Sequence, residues 1–198
     1  TYEYKRDDGG NVIVHHYEQG TTNQLVPDMT LLGAGGAATS ILVQAALDGV
    51  REISVFCRPG KSTEHARQVI NQLTKQTACK INLFDYSDES VIKKELLTSR
   101  ILTNGTNVGM APDTDRSLIT SADFFHPDLI VSDVIYNPRE TKMMEIAKSQ
   151  GCSCFNGLYM LLYQGAEAFT LWTGKQMPVE LVKERYFDEP EACSRTAQ

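Results

Sequence analysis

The sequence predicts an α/β fold, a doubly wound parallel sheet with further helices at its C-terminal end. Two observations predict this class. Short apolar runs alternate with segments of helical periodicity along most of the chain, and a glycine-rich turn joins the first run to the first helix. Because strands that alternate with helices are joined by right-handed crossovers, we expect the strands to run parallel.

The opening unit, residues 29–58, is predicted to form a strand, a glycine turn, a helix and a second strand. In this pattern Gly33 allows the tight turn and Gly35 lets the backbone approach a pyrophosphate, while Ala38 stands where helix and strand pack closely. The start of the helix also presents N–H groups and a positive dipole end to phosphates. Glycines can do no more than turn a chain, but this context is typical of a Rossmann-type NAD(P)-binding domain.

The remaining elements follow from periodicity and turn residues. Helices are predicted at 61–77, 89–97, 141–150, 158–172 and 179–187, and strands at 80–84, 101–104, 129–134 and 152–156. Four segments result: residues 1–28 as a hairpin or the end of a preceding domain, 29–157 as the dinucleotide-binding domain, 158–187 as closing helices, and 188–198 as a frayed tail.

The end of each predicted strand carries glycine or polar residues instead of more core. Such turns follow the strands at residues 33–38, 57–62, 104–110, 136–138 and 156–157. In a parallel sheet of this kind ligands bind beyond the carboxyl ends of the strands. The sequence therefore predicts a single crevice along this edge.

The turn after the second strand of the opening unit indicates which dinucleotide is preferred. A carboxylate there binds the ribose 2′-hydroxyl of NAD, whereas an arginine accommodates the 2′-phosphate of NADP. Residues 53–62 contain no carboxylate but include Arg58 and Lys61. The charge favours NADP, with NAD as the alternative; the competing interpretation is a solvated basic pair at a helix start.

Composition excludes several classes of function. The 198 residues include 25 acidic and 19 basic residues, a net charge of −6, without a Lys/Arg cluster, so we expect no nucleic-acid partner. No apolar run reaches the roughly 20 residues that span a bilayer, and we expect a cytoplasmic protein without a membrane partner.

The five cysteines are an odd number scattered along the chain, which disfavours a secreted disulfide framework. The close pair Cys152 and Cys154 lacks a second Cys/His pair, so we expect small buried side chains and no metal site. The adjacent His15 and His16 also lack metal-ligand spacing and are expected in a loop or strand.

Four motifs give the chain a specific resemblance. These are LGAGGAA at 32–38, LTNGTNVGM at 102–110, DVIYNP at 133–138 with Thr141, and GLYMLLYQGA at 157–166. In this order they resemble the shikimate dehydrogenase family, and within it the quinate/shikimate dehydrogenase branch. The resemblance extends from about residue 29 to residue 187.

The resemblance implies roles for residues at matching positions. The implied cofactor-binding residues are Gly33, Ala34, Gly35, Gly36 and Ala37 for the pyrophosphate, Cys57, Arg58, Pro59, Gly60 and Lys61 for the adenosine ribose or its 2′-phosphate, and Asn107, Val134, Ile135, Asn137 and Gly157 for the nicotinamide side. Tyr136 and Gln164 match positions that touch the substrate, although Tyr136 could instead pack at a strand end and Gln164 could be a surface helix residue.

The chain also departs from the family. Members carry a substrate domain with a Ser-x-Thr-x-Pro-x-Lys stretch, whose lysine forms a catalytic pair with a later aspartate, and no such stretch occurs here. Glu18 falls near the place of that aspartate, but we assign it no role, and the catalytic residues stay unknown. Cys57 replaces the usual Asn, and Tyr159 stands where a second glycine is common.

The resemblance implies an NADP-linked oxidoreductase of the shikimate pathway that interconverts 3-dehydroshikimate and shikimate, or 3-dehydroquinate and quinate, by hydride transfer. The sequence does not choose between these substrates, and a homodimer is possible. The rival hypothesis is a non-catalytic nucleotide-sensing module that lacks the acid/base lysine. A methyltransferase is disfavoured, because adenosyl ligands without a phosphate usually call for a carboxylate where Arg58 stands.

Overall fold

A computed structural model describes residues 2–6, 12–16 and 28–187, with side chains described in the last range. The strands are β1 Tyr2–Arg6, β2 Val12–His16, β3 Asp28–Leu32, β4 Glu52–Cys57, β5 Lys80–Asp85, β6 Ile101–Asn104, β7 Ile130–Asp133 and β8 Ser153–Phe155. The helices are α1 Gly36–Leu47, α2 Lys61–Gln76, α3 Glu89–Thr98, α4 Lys142–Ser149, α5 Leu158–Thr173 and α6 Val179–Tyr186, with a single 3₁₀ turn at Ala122–Phe124.

Six strands form one parallel sheet in the order β5-β4-β3-β6-β7-β8, which confirms the predicted doubly wound α/β class. The order reverses direction after β3, because β4 and β5 extend to one side and β6 to β8 to the other. Each predicted helix and strand between residues 29 and 187 is present, with ends shifted by at most a few residues. β1 and β2 pair antiparallel, as a hairpin requires, and His15 and His16 lie on β2.

One connection departs from strict alternation of strands and helices, and the sequence predicts no helix there either. Between β6 and β7 the chain holds only the 3₁₀ turn and no helix. Turn-forming residues and Pro112 prevent a regular helix in this segment. It is held instead by irregular packing, in which Ile119 and Phe125 are buried and the hydroxyl of Tyr86 donates a hydrogen bond to the Leu118 carbonyl.

The core has two layers, one on each face of the sheet. Leu31 and Val55 belong to the layer beneath α1 and α2, whereas Leu32 and Phe56 belong to the layer beneath α3 and α4. Successive strand residues alternate between the faces, so a sheet covered on both sides needs continuous apolar strands. This packing fixes all the carboxyl strand ends at one edge.

The structure leaves the four-segment division as a prediction, and the tail at 188–198 lies outside the described residues. Within the part of the chain that the structure describes, none of the helices combines the length and apolar character needed to cross a membrane.

Candidate functional site

The carboxyl ends of the six parallel strands meet at one edge, where the turns identified in the sequence come together. Backbone hydrogen bonds join neighbouring turns there: the Gly33 N–H donates to the Phe56 carbonyl at 2.7 Å, and the Gly105 N–H donates to the Leu32 carbonyl at 2.8 Å. The turns after β3 and β6 are therefore each anchored to the end of a neighbouring strand at the edge where the crevice is predicted.

The glycine turn after β3 is held by close packing against the loop after β6. Gly33 has a φ of +107°, and a Cβ there would lie 2.8 Å from the Thr106 Cγ2 atom. A Cβ on Gly105 would lie 2.7 Å from the Ala38 Cβ. Since real Cβ atoms do not approach so closely, these positions require glycine, and Ala38 occupies the close-packed position that the sequence predicts.

The start of α1 is open toward the crevice. Gly35 is its N-cap and provides no side-chain cap, so the first N–H groups of the helix are left for other acceptors. No atom lies within 4 Å of a Cβ placed on Gly35 or Gly36. Both glycines and Ala37 are exposed, and Ala34 is buried. Open space beside unpaired N–H groups fits a dinucleotide pyrophosphate.

The turn after β4 presents Arg58, Pro59, Gly60 and Lys61 to solvent above the buried side chain of Cys57. Thr63, which the sequence interpretation did not include, holds this turn. Its hydroxyl donates to the Arg58 carbonyl at 2.7 Å, and its N–H donates to the Gly60 carbonyl at 3.0 Å. A threonine near a helix start is a usual signal for such a contact.

Arg58 and Lys61 form no ion pair with any residue that the structure describes. The nearest carboxylate in the strand register is that of Asp85, which pairs with Cys57 across β4 and β5. Hydrogen bonds from Ser87 lower the pKa of Asp85. An ionised carboxylate, that of Asp85, therefore lies at the end of β5, the strand next to the one that leads into the turn with Arg58 and Lys61.

The residues predicted for the nicotinamide side lie in three loops that are bonded to one another. The Ala111 N–H donates to the Asn137 carbonyl at 3.1 Å, and the Gly157 N–H donates to the Ile135 carbonyl at 2.9 Å. A Cβ on Gly157 would overlap the Val134 carbonyl. Asn107 and Asn137 are exposed at the crevice, whereas Ile135 and Gly157 are buried beneath them.

A buried polar network beneath these loops was missed by the sequence interpretation. Asp133 accepts hydrogen bonds from Asn104 at 3.1 Å, from the Ile135 N–H at 3.0 Å and from the Thr141 hydroxyl at 2.8 Å. Burial raises the pKa of Asp133, and the three hydrogen bonds oppose that shift. The sequence feature that could have indicated this network is the polar residue at the end of each of two strands, Asn104 on β6 and Asp133 on β7.

The two residues predicted to touch the substrate are both accessible. Tyr136 is 43% exposed, and Gln164 lies on an exposed part of α5. Gln164 is six residues beyond the first residue of α5, about 9 Å along the helix axis at 1.5 Å per residue. Their contact with a substrate stays a prediction.

A cavity of about 510 Å³ lies at the opposite, amino edge of the sheet. Its charged groups are already paired. Arg51 bonds to Asp28, and Glu52 accepts from Lys80 at 2.7 Å. With its polar groups engaged, this cavity is a weaker candidate site than the carboxyl edge.

Cys57, Cys79, Cys152 and Cys154 are free thiols. The Cys152 thiol donates to the His126 carbonyl at 3.2 Å, and burial raises the pKa of Cys154 to about 11. Both thiols of the close pair are thus held in a protonated form that packs against backbone.

Comparison with known proteins gives the same family that the motifs resemble. The family model for the shikimate 5'-dehydrogenase C-terminal domain matches residues 157–185. A shikimate dehydrogenase (NADP⁺) of Listeria monocytogenes is 50% identical over 159 residues, which cover 80% of this chain and 55% of that protein. A quinate/shikimate dehydrogenase of Escherichia coli is 42% identical over 156 residues, 79% of this chain and 54% of that protein.

The crystal structure of shikimate 5-dehydrogenase from Listeria monocytogenes, in complex with shikimate and NAD, superposes with a TM-score of 0.75. It is 49% identical and covers 82% of this chain and 56% of that one. The chain thus spans about half the length of the relatives it matches. Over about four fifths of its own length, this chain is a homologue of the shikimate dehydrogenase family.

Proposed function

We propose that this chain forms the dinucleotide-binding part of an NADP-linked oxidoreductase that interconverts 3-dehydroshikimate and shikimate, or the quinate pair. One observation carries the proposal: the uncapped N-terminus of α1, with open space beside Gly35, lies at the same sheet edge as the exposed cations Arg58 and Lys61. A helix N-terminus and nearby cations together suit the phosphates of NADP.

The proposed division of labour follows the three parts of the crevice. Residues 33–37 hold the pyrophosphate, residues 57–61 hold the adenosine ribose and its 2′-phosphate, and the loops that carry Asn107, residues 134–137 and Gly157 hold the nicotinamide side. The bound nicotinamide supplies the hydride chemistry, and the protein supplies binding and orientation.

NADP is the proposed cofactor, with NAD as the alternative. The name of the Listeria relative specifies NADP⁺, while the Listeria crystal structure was solved with NAD. The two exposed cations support NADP, and the ionised Asp85 on the neighbouring strand reduces that preference.

Tyr136 and Gln164 are proposed to contact the substrate from this side of the crevice, and shikimate or quinate is the proposed substrate. The names of the relatives support a dehydrogenase over a nucleotide-sensing module. A cytoplasmic location and a homodimer stay predictions.

The proposal is tested by titrating NADPH and NADH into the wild-type chain and into the double variant Arg58→Ala/Lys61→Ala with a calorimeter. Each charge-assisted phosphate contact is worth roughly 1.5–3 kcal/mol, so the wild type should bind NADPH about tenfold or more tightly than NADH. In the double variant this preference should disappear, and the affinity for NADH should change little.

The matched control is Arg67→Ala. Arg67 is also on α2, but its guanidinium lies 3.7 Å from Glu64 and its side chain is 61% exposed. The substitution therefore removes one cation of the same helix that lies outside the turn. An equal loss of NADPH affinity in Arg67→Ala, or equal affinities of the wild type for both cofactors, would contradict the assignment of Arg58 and Lys61.

A further inference from the structure

Asn104 and Asp133 form a buried pair between the two strands whose loops make up the nicotinamide side. They are register partners at the ends of β6 and β7, and their side chains are joined by a 3.1 Å hydrogen bond. Asn104 is 2% exposed and Asp133 is 1% exposed. A polar pair is costly to bury at such depth unless its atoms are bonded, and here every bond leads to a loop or to a helix start.

The Asn104 side chain organises the loop after β6. Its Oδ1 atom accepts hydrogen bonds from the Thr106 N–H at 3.0 Å and from the Thr106 hydroxyl at 2.7 Å. The Thr106 oxygen in turn accepts from the Val108 N–H at 3.1 Å. These bonds enclose Asn107 on both sides, so its exposed position depends on Asn104.

The Asp133 side chain organises the other two loops. It fixes the peptide group of Ile135 by accepting from its N–H at 3.0 Å, and the carbonyl of the same residue accepts from the Gly157 N–H at 2.9 Å. The orientation of residues 134–135 and the entry into α5 therefore follow from one carboxylate. Its second oxygen accepts from the hydroxyl of Thr141, the N-cap of α4, which ties the same carboxylate to the start of that helix.

We propose that Asn104 and Asp133 are positioning residues that hold the three loops in the arrangement that receives the nicotinamide half of the cofactor. Neither side chain is exposed to a ligand, so both act through Asn107, Ile135 and Gly157. Residues 57–61, proposed to hold the adenosine ribose and its 2′-phosphate, are bonded to Thr63 and not to this pair. This inference rests on the proposed function.

The test compares two ligands on the full chain: NADPH, which has both halves, and adenosine 2′,5′-bisphosphate, which has only the adenosine half. Asn104→Ala removes the acceptor of the Thr106 bonds and should weaken NADPH binding by about tenfold, since each lost hydrogen bond is worth roughly 0.5–1.5 kcal/mol. Affinity for adenosine 2′,5′-bisphosphate should change by less than about twofold. The fluorescence of bound NADPH should approach that of free NADPH, because the nicotinamide is no longer held.

Thr106→Val is a second variant that keeps the shape of the side chain and the Asn104–Asp133 hydrogen bond. It provides the test if Asn104→Ala does not fold. It should give the same separation between the two ligands, reduced to about threefold. Thr30→Val is the control, because it removes a buried 2.8 Å hydroxyl hydrogen bond to Ser99, between β3 and the amino end of β6, and should lower stability without separating the ligands.

Two outcomes overturn the inference in different ways. If Asn104→Ala and Thr106→Val weaken both ligands equally, or weaken neither, the pair does not position the nicotinamide half, and the proposed function stands. If the wild-type chain binds neither ligand, the proposed function fails, and the positioning role fails with it.

Discussion

Replacing Gly35 with valine separates the binding role of the glycine turn from its role in folding. Gly35 has extended backbone angles, with φ at −78° and ψ at −175°, which any residue adopts without strain. No atom lies within 4 Å of a Cβ at this position. The cost to stability should be limited to a poorer N-cap, about 0.5–1 kcal/mol, because glycine is a better N-cap than valine. For a domain of this size that is a decrease in melting temperature of about 1–4 °C.

The cost to cofactor binding should be much larger. The valine side chain would fill the space in front of the first N–H groups of α1, where the pyrophosphate is proposed to lie. Loss of one or two charge-assisted hydrogen bonds, at roughly 1.5–3 kcal/mol each, raises the Kd for NADPH by about 10-fold to more than 100-fold. The expected result is therefore a folded protein that does not bind NADPH at concentrations that saturate the wild type.

Calorimetric titration with NADPH and a thermal melt of each variant provide the measurement. Gly165→Ala is the control for adding a side chain to an open glycine site, since nothing lies within 4 Å of its Cβ position inside α5. It should raise stability by about 0.5–1 kcal/mol and leave the NADPH affinity unchanged. Gly105→Ala should instead lower stability by about 1–3 kcal/mol, because its Cβ would press against Ala38. A folded Gly35→Val variant with a Kd for NADPH within threefold of the wild type would refute the binding role.

Two further predictions concern Asp133 and turnover. Burial raises the pKa of Asp133 above its ordinary value of 3.8, so the native state binds this proton more readily than the unfolded state does. The free energy of unfolding of the wild type should therefore increase relative to that of Asp133→Asn as the pH falls through the native pKa toward 3.8. Denaturant titrations of both proteins across that pH range measure this difference. A decrease in the relative free energy of unfolding would contradict the prediction. The 198-residue polypeptide alone should bind NADPH yet reduce 3-dehydroshikimate at well below 1 s⁻¹. Its sequence lacks the lysine stretch of the family, and an acid/base group typically contributes about 10²–10⁴-fold to the rate. Turnover at an ordinary rate in a spectrophotometric assay would show that another residue supplies the proton.

The strands and helices could be predicted from sequence because each depends on local periodicity. Strands β3 and β4 are mostly apolar, and the structure buries every residue of each strand after the first, as a sheet covered on both faces demands. The connection between β6 and β7 was predicted only as a loop without a helix, because its buried residues, Ile119 and Phe125 among them, follow no period that would indicate how they pack. A non-periodic segment can pack well, but its contacts are set by the surrounding surface and not by its own spacing.

The site divides in the same way. The glycine turn was predictable because its requirements lie within a few consecutive residues, Gly33 to Ala38. The network around Asp133 was not, although its members stand within recognised motifs. Asn104 and Asp133 are 29 positions apart in the chain, and the register of β6 against β7 brings them together. Thr141 reaches the same carboxylate from the N-cap of α4.

The cofactor preference depends on a similar comparison across strands. The rule for NAD and NADP considers the residues that follow a single strand, and by that rule Arg58 and Lys61 favour a 2′-phosphate without opposition. The register places Asp85 beside Cys57, and this carboxylate is held in its ionised form by hydrogen bonds from Ser87. An anion on the neighbouring strand would repel a 2′-phosphate bound by Arg58 and Lys61, and both cations are exposed to screening by salt, so we expect the selectivity to depend on the difference between these opposing charges. A preference for NADPH should accordingly be largest at low ionic strength and should narrow as salt is added.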